Sequence, residues 1–213
     1  MSRLQARHCT RPAFTLIEML VVITVISILL AATGPVFKSI TSSQTPTVVA
    51  SVIAGQLERA RAHSLARNTP VWVRLGATAE APNDFFIGVY ESADGSNTST
   101  SARAAWPSQI FPDLKLSNGL TSNFSRPDVG AANRPDTAVW VRFTPGSEAW
   151  LIPASSSEAR YKLVPPAGDG ALLPWIEFGL QPTRQGAVPE WMKQNVACVQ
   201  LSGITGQTLE FTR

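Results

Sequence analysis

The sequence predicts an α+β protein: one long N-terminal helix, membrane-embedded in its first half and amphipathic in its second, packed on an antiparallel β-sheet or sandwich. Three observations predict it. The longest apolar run lies in the first 35 residues, a stretch of helical periodicity follows it, and beyond residue 70 short extended runs alternate with turns. At 213 residues and 44% hydrophobic content the chain is long enough for one β domain plus a membrane segment. The expected divisions are a leader (1–13), a transmembrane half-helix (14–34), an amphipathic half-helix (35–70) and a β domain (71–213).

The leader holds Arg3, Arg7 and Arg11 and no acidic residue. Without these three the 18 basic residues fall to 15, equal to the 15 acidic ones, so the basic character of the whole chain comes from the leader. From Phe14 to Ala32 the chain reads Phe-Thr-Leu-Ile-Glu-Met-Leu-Val-Val-Ile-Thr-Val-Ile-Ser-Ile-Leu-Leu-Ala-Ala, with Glu18 the single charge. As a helix these residues reach ~28 Å, against a hydrocarbon core of ~30 Å. The arginines before the run keep the N-terminus cytoplasmic, and the chain beyond the run faces outward.

Three readings of this segment compete. A secretory signal peptide has a shorter apolar core and a small-x-small cleavage site, and Leu30-Ala31-Ala32-Thr33-Gly34-Pro35 is a poor one. A plain anchor gives no reason for a carboxylate one turn into the run. In the third reading the chain is cut before Phe14, which places a new α-amino group four residues from Glu18 on the same helix face. A carboxylate in hydrocarbon needs a partner or the headgroup region, and the new amine is such a partner, within one subunit or between stacked subunits.

Arg11-Pro12-Ala13-Phe14-Thr15-Leu16-Ile17-Glu18-Met19-Leu20 resembles the type IV prepilin signal: a basic leader, a small residue, Phe, then an apolar helix with Glu at its fifth position. The resemblance implies cleavage between Ala13 and Phe14 by prepilin peptidase, N-methylation of Phe14, and a role for Glu18 in registering each subunit against a neighbour's Phe14 amine. Ala13 stands where the family usually has Gly. Gly34-Pro35 sits where pilin-like subunits often carry a proline, and there a kink is expected.

Thr45-Pro46 starts or restarts a helix. Val49, Ile53, Leu57, Ala60 and Ser64 form its apolar stripe; Glu58, Arg59, Arg61 and Arg67 lie off it and read as a solvated face. Asn68 and Pro70 end it. Extended runs follow at Val71–Leu75, Phe85–Tyr90, Ala138–Thr144, Ala149–Ile152, Tyr161–Val164, Trp175–Phe178, Val196–Leu201 and Thr208–Thr212. Ser92 to Ala105 is polar and reads as a mobile loop. Turns are expected at Pro145-Gly146 and between Gly203 and Gly206.

The passage from Leu57 to Val71 is similar to the helix-to-strand passage of GspH/FimT-type minor pseudopilins. Val141-Arg142-Phe143-Thr144-Pro145-Gly146 and the closing Val199–Gly206 resemble later strands of that family. The resemblance covers the first ~70 residues well and the rest patchily; the polar insertion and the Pro-rich stretch at 165–190 depart from it. It implies a pilin-like fold and a minor pilin or pseudopilin, anchored once in the bacterial inner membrane and assembled into a type II secretion pseudopilus or type IV pilus-like filament. Its partners would be prepilin peptidase, the inner membrane and other pilin subunits. The alternative is a DNA-binding minor pilin acting in DNA uptake. The resemblance would place that role on basic residues near the C-terminus, where Arg213 is the sole one, so a nucleic-acid partner is not expected.

Catalysis is not expected either. Outside the leader the chain has one histidine, His63, read as a surface or boundary residue. There is no Gly-x-Ser-x-Gly turn, no Cys/His spacing for a metal and no phosphate loop, so no catalytic residue, cofactor or metal is assigned. Asp84, Asp94, Asp113, Asp128, Asp136 and Asp169 sit in turns where Asp bonds local backbone. Cys9 falls in the leader and Cys198 in an apolar strand, where it reads as a buried inert thiol. Trp72, Trp140, Trp150 and Trp175 read as core; Trp106 and Trp191 lie in loop-like sequence and are candidate partner contacts.

Overall fold

A computed structural model describes residues 16–97, 101–117, 133–155, 158–160, 163–168, 170–193 and 195–212, with the backbone alone for 28–45, 211 and 212. The leader, Ala13, Phe14, Asp128 and Asp169 lie outside the described residues. The chain has two units, residues 1–41 and 42–213. Helix α1 is Leu16–Arg67, and its assignment continues through Gly34-Pro35 and Thr45-Pro46. The expected fresh start at Thr45 is therefore absent: the turns around Pro46 keep their helical bonds although proline supplies no N–H.

In the first unit, Leu16 to Ser27 are exposed on every side of α1. The hydroxyls in this apolar stretch bond to their own helix: Thr24 Oγ1 donates to Val21 O (2.8 Å) and Leu20 O (3.1 Å), and Ser27 Oγ to Ile23 O (2.7 Å). Among the described residues no helix is long and apolar enough to cross a membrane. The side chains of residues 28–32, the second part of the apolar run, are not among those described.

In the second unit α1 is one-sided. Val49, Ala50, Ile53, Ala54, Leu57, Ala60 and Ser64 are buried, while Val48, Ser51, Gly55, Arg59, Ala62 and Ala66 are exposed or only partly covered. Asn68 ends the helix in the left-handed region (φ 50°), with Thr69 N–H bonded back to Ser64 O at 3.2 Å, a Schellman closure. Buried Ser64 Oγ lies 2.7 Å from Thr69 O and 3.3 Å from Phe143 O, so it joins the helix end to the sheet.

Among the described residues ten strands follow: β1 (Val71–Thr78), β2 (Ala81–Ser92), β3 (Ala102–Phe111), β4 (Leu114–Leu116), β5 (Val139–Phe143), β6 (Ala149–Pro153), β7 (Ala171–Leu172), β8 (Trp175–Pro182), β9 (Ala197–Ser202) and β10 (Thr208–Thr212). They form two antiparallel sheets, β3-β2-β1-β5-β6-β7 and β10-β9-β8-β4. One core cluster joins the α1 stripe to both: Val71, Val73 and Leu75 of β1, Val139, Val141 and Phe143 of β5, Ile176 and Phe178 of β8, and Val199 and Leu201 of β9. The alternate residues of the large sheet build a second cluster on its other side, with Trp72, Phe86, Trp140, Ile152 and Leu163. Burial on both faces explains why Val71–Leu75 and Val139–Phe143 are apolar at every position except Arg74 and Arg142.

Two further expectations are corrected. The polar stretch Ser92 to Ala105 is not one loop: β3 begins at Ala102 and pairs Ala104 with Tyr90 and Trp106 with Val89. Its turn is drawn together by Asp94, whose Oδ1 accepts from Ser96 N–H (2.9 Å) and the hydroxyls of Ser92 (2.9 Å), Ser96 (2.6 Å) and Ser101 (2.6 Å). Leu163 and Val164 of the expected run Tyr161–Val164 belong to no strand; Leu163 instead plugs the second cluster. Tyr161 and Lys162 lie outside the described residues.

The two sheets meet at Gly203. Its N–H donates to Pro174 O (3.2 Å) and its carbonyl accepts from Ala149 N–H (2.7 Å), and a Cβ there would sit 1.9 Å from Leu173 O. Gly55, by contrast, is exposed in mid-helix with open space around a Cβ. Opposite outcomes are therefore expected for one chemical change, measured by urea denaturation of a chain beginning at Thr45. Gly55→Ala should stabilise by about 0.5–1 kcal/mol through helix propensity. Gly203→Ala should destabilise by about 1–3 kcal/mol, because the backbone of the seam must move. A neutral Gly203→Ala would show that the seam is not a close approach.

Candidate functional site

The first candidate site is the head of α1. Glu18 lies close to the first described residue of α1. Within Leu16–Ser27 it is the one charged residue, with Leu16, Ile17, Met19 and Leu20 around it 85%, 69%, 57% and 51% exposed. Ala13 and Phe14, the other residues assigned here, lie outside the described residues, so the geometry at the expected cut is not on view. What the structure supplies is the helical frame: the chain is helical from its first described residue, Leu16, and positions four apart on a helix share a face.

A second polar constellation was missed by sequence reasoning, which placed Arg59 on a solvated helix face, His63 at a surface or boundary, and Arg103 and Trp106 in loop-like sequence. Gln56, Arg59 and His63 fall on one stripe of α1 beside the apolar one, and β3 docks on it. Trp106 Nε1 donates to Gln56 Oε1 at 2.7 Å, its ring lies 4.2 Å beneath the Arg59 guanidinium, and the His63 ring meets it in a T-shaped contact at 5.7 Å. Trp106 is therefore half-buried against the helix and is not a free partner contact. Trp191 does stand out, 67% exposed beside buried Met192.

His63 Nε2 lies 2.5 Å from Glu91 Oε2 on β2, and the other oxygen of Glu91 accepts from Arg103 of β3 at 2.8 and 2.9 Å. One carboxylate thus joins the helix to both strands of the β2–β3 hairpin. The His63 hydrogen bond is the largest influence holding the Glu91 carboxyl below its usual range; Arg103 adds to it and partial desolvation opposes it. The signal that could have found this cluster is the 56/59/63 helical spacing, but its partners lie 28 to 50 residues away.

Elsewhere the polar groups serve packing. Arg74 is fully buried on the second-cluster side of β1, its Nη atoms donating to Leu75 O (3.0 Å) and Ala77 O (2.9 Å) and its Nε 3.1 Å from Glu158 Oε2. Glu177, also fully buried, accepts from Arg134 (2.9 Å) and Gln200 (2.7 Å). Cys198 is buried, and desolvation followed by the Glu177 charge pushes its thiol up to about 12, which leaves it unreactive. A groove of about 430 Å³ along β2 and β3 is lined by Gly88, Val89, Tyr90, Ala104, Trp106, Pro107 and Ser108. Burial raises its Tyr90 hydroxyl to about 12, so the lining offers no general base. Among the described residues no group of three or more His, Cys, Asp or Glu is placed to hold a metal ion.

Comparison with known proteins returns one family: residues 11–34 match the prokaryotic N-terminal methylation motif. No curated protein and no solved structure matches the chain. The match is confined to residues 11–34; it indicates processing of the prepilin type and leaves the family of the remaining chain open.

The lowered Glu91 carboxyl carries a pH dependence. Its contribution to stability is complete above the unfolded value of about 4.3 and is lost as pH falls through the lower folded value. The stability gap between wild type and Glu91→Gln should therefore be wider at about pH 5 than in more acidic solution, and close as the carboxylate takes up its proton. Denaturation midpoints across that range test it, and a gap that stays constant with pH would count against the ion-paired carboxylate.

Proposed function

We propose that this chain is a minor pilin or pseudopilin of the GspH/FimT type. It is cleaved between Ala13 and Phe14, methylated on the Phe14 amine, held in the bacterial inner membrane by residues 14–34 with its C-terminal domain outside, and drawn from there into a type II secretion pseudopilus or type IV pilus-like filament. The observation that carries this reading is the methylation motif at residues 11–34, with Glu18 as the single charge in its apolar run.

The physics of assembly follows from the cut. Before it, Phe14 contributes only a neutral amide to the apolar helix. After it, the chain begins with an ammonium group four residues from a carboxylate, on a surface otherwise apolar. In lipid the two groups stay near the headgroups. In a bundle of such helices the ammonium of one subunit neutralises Glu18 of the next, which fixes the axial offset between them. The apolar side chains exposed along Leu16–Ile26 exchange lipid for neighbouring helices.

Two measurements test this. Intact mass of the membrane-extracted protein should correspond to a chain starting at Phe14 with one added methyl group; a start near Thr33, or an unprocessed chain, would sink the reading. Glu18→Gln keeps shape and removes charge, so cleavage and insertion should persist while incorporation into the filament fraction falls. Breaking a buried pair costs about 3–5 kcal/mol, roughly a hundredfold or more in an assembly equilibrium. Normal amounts of the variant in sheared filaments would remove the registering role from Glu18.

A further inference from the structure

We infer that Glu58 of α1 guards the edge of the small sheet: its carboxylate occupies a main-chain N–H that β10 needs in order to pair with β10 of a second copy of this chain. This concerns residues 42–213 alone and holds whichever filament the subunit joins.

The outermost strands of a sheet carry unpaired N–H and C=O groups on which another strand can build. Among the described residues, three of the four edges are poor templates. β3 carries Pro107, which has no N–H, and its pairing with β2 shifts twice between Ile87 and Tyr90. β7 is two residues long and β4 three. β10 is five residues long, and its ladder with β9 runs without a shift from Thr208 to Thr212.

The hairpin fixes which groups of β10 face outward. Ser202 N–H donates to Gln207 O at 2.9 Å and Gly206 N–H to Ser202 O at 2.7 Å, so the next pair, Leu201 and Thr208, turn their peptide groups away from each other. Thr208, Glu210 and Thr212 therefore present N–H and C=O at the open edge. A second β10 can pair there across a two-fold axis centred on Leu209, Glu210 or Phe211. The Glu210 register sets two carboxylates face to face, and the Phe211 register shrinks the overlap to residues 209–213. The Leu209 register spans residues 206–212, bonds Thr208 to the other copy's Glu210 and stacks the two Leu209 side chains, each residue 48% exposed.

That register needs the Thr208 N–H, and Glu58 already holds it. Glu58 Oε1 accepts from Thr208 N–H at 2.8 Å and from the Thr208 hydroxyl at 3.1 Å, where the incoming Glu210 carbonyl would dock. Arg61 steadies the carboxylate: its Nη1 lies 3.4 Å from Glu58 Oε2 while its Nε donates to Thr205 O at 2.8 Å. One turn toward the head of the helix, Ser51 Oγ donates to Glu210 Oε2 at 2.8 Å. Polar side chains of α1 thus meet β10 along the length the second copy would use.

The test uses the full chain in detergent. In the wild type the Thr208 amide, corrected for intrinsic rate, should exchange about tenfold more slowly than the outward Glu210 amide. The Glu58 side chain is 41% exposed on a helix that favours alanine, so Glu58→Ala spares the core. That variant should self-associate about tenfold more tightly by sedimentation, and its Glu210 amide should gain protection as concentration rises. Glu58→Gln keeps an acceptor oxygen and should behave as the wild type. Adding Glu210→Pro to Glu58→Ala removes an outward N–H without touching the ladder to β9 and should restore wild-type behaviour. The inference is overturned if the Thr208 and Glu210 amides exchange alike in the wild type, or if Glu58→Ala associates no more tightly than the wild type. It is equally overturned if Glu58→Gln associates like Glu58→Ala, or if the tightened association survives Glu210→Pro.

Discussion

One apolar stripe organises the second unit. Val49, Ile53, Leu57 and Ala60 of α1 share a single core cluster with both sheets, and burying a side chain of this kind contributes roughly 1.5–3 kcal/mol. The strand sequences answer to that stripe. Odd-numbered residues of β1 turn toward it, which forces Trp72 and Arg74 to the opposite side of the sheet. A register slip of one residue would bring the guanidinium into the core and expel Val73, so the pairing of β1 with β2 and β5 is strongly specified.

The opposite side of the large sheet is where that requirement has its consequences. Cross-strand pairing sets Trp72 beside Arg142, Arg74 beside Trp140 and Arg142 beside Trp150. The guanidinium of Arg74 lies 5.8 Å from the Trp140 ring centre and that of Arg142 lies 5.5 Å from Trp150. Arginine suits such a site because its planar, weakly hydrated cation stacks on indole while its N–H groups reach backbone carbonyls. Desolvation lowers the Arg74 pKa and the Glu158 charge acts in the opposite sense. Replacing the pair by apolar residues could match its stability. What the pair adds is direction: Glu158 also accepts from Ala79 N–H through its carbonyl, and Arg142 donates to Gly168 O, so the chain after β6 is tied to the sheet at Glu158 and at Gly168.

How much of this was legible depends on where the information lies. The α+β class, the helix face and the runs expected from Val71, Phe85, Ala138, Ala149, Trp175, Val196 and Thr208 follow from local periodicity, and the structure carries a strand overlapping each. β3 does not follow, because Ala-Arg-Ala-Ala-Trp-Pro-Ser-Gln-Ile-Phe is weak in β-branched residues and holds a proline. It is a strand because it is an edge, where proline is tolerated, and because Gln56, Arg59 and His63 hold Trp106. Leu163 shows the converse: an apolar residue in an extended run, used as a plug. The processing signal differs from all of these. Residues 11–34 match a linear motif that is legible before any fold exists, and the proposed roles of Ala13, Phe14 and Glu18 rest on that pattern, whereas the His63 cluster exists only once α1 and β3 have met.

The two ends of α1 carry the deeper argument about function. A helix intended for one solvent shows one pattern, and α1 shows two: apolar on all sides from Leu16 to Ile26 apart from Glu18 and a self-bonded Thr24, and one-sided from Val49 to Ser64. In water the first pattern would leave nine large apolar side chains between 47% and 85% exposed, so that segment requires a cover that residues 42–213 do not need. Lipid is one cover and a bundle of like helices is another, and their free energies are close because lipid tails and apolar side chains attract each other about equally. A small, directional term can then move the helix from one to the other. The proposed ammonium–carboxylate pair, available only after cleavage, would be such a term, and on that proposal a single charge in the stretch decides when the subunit assembles.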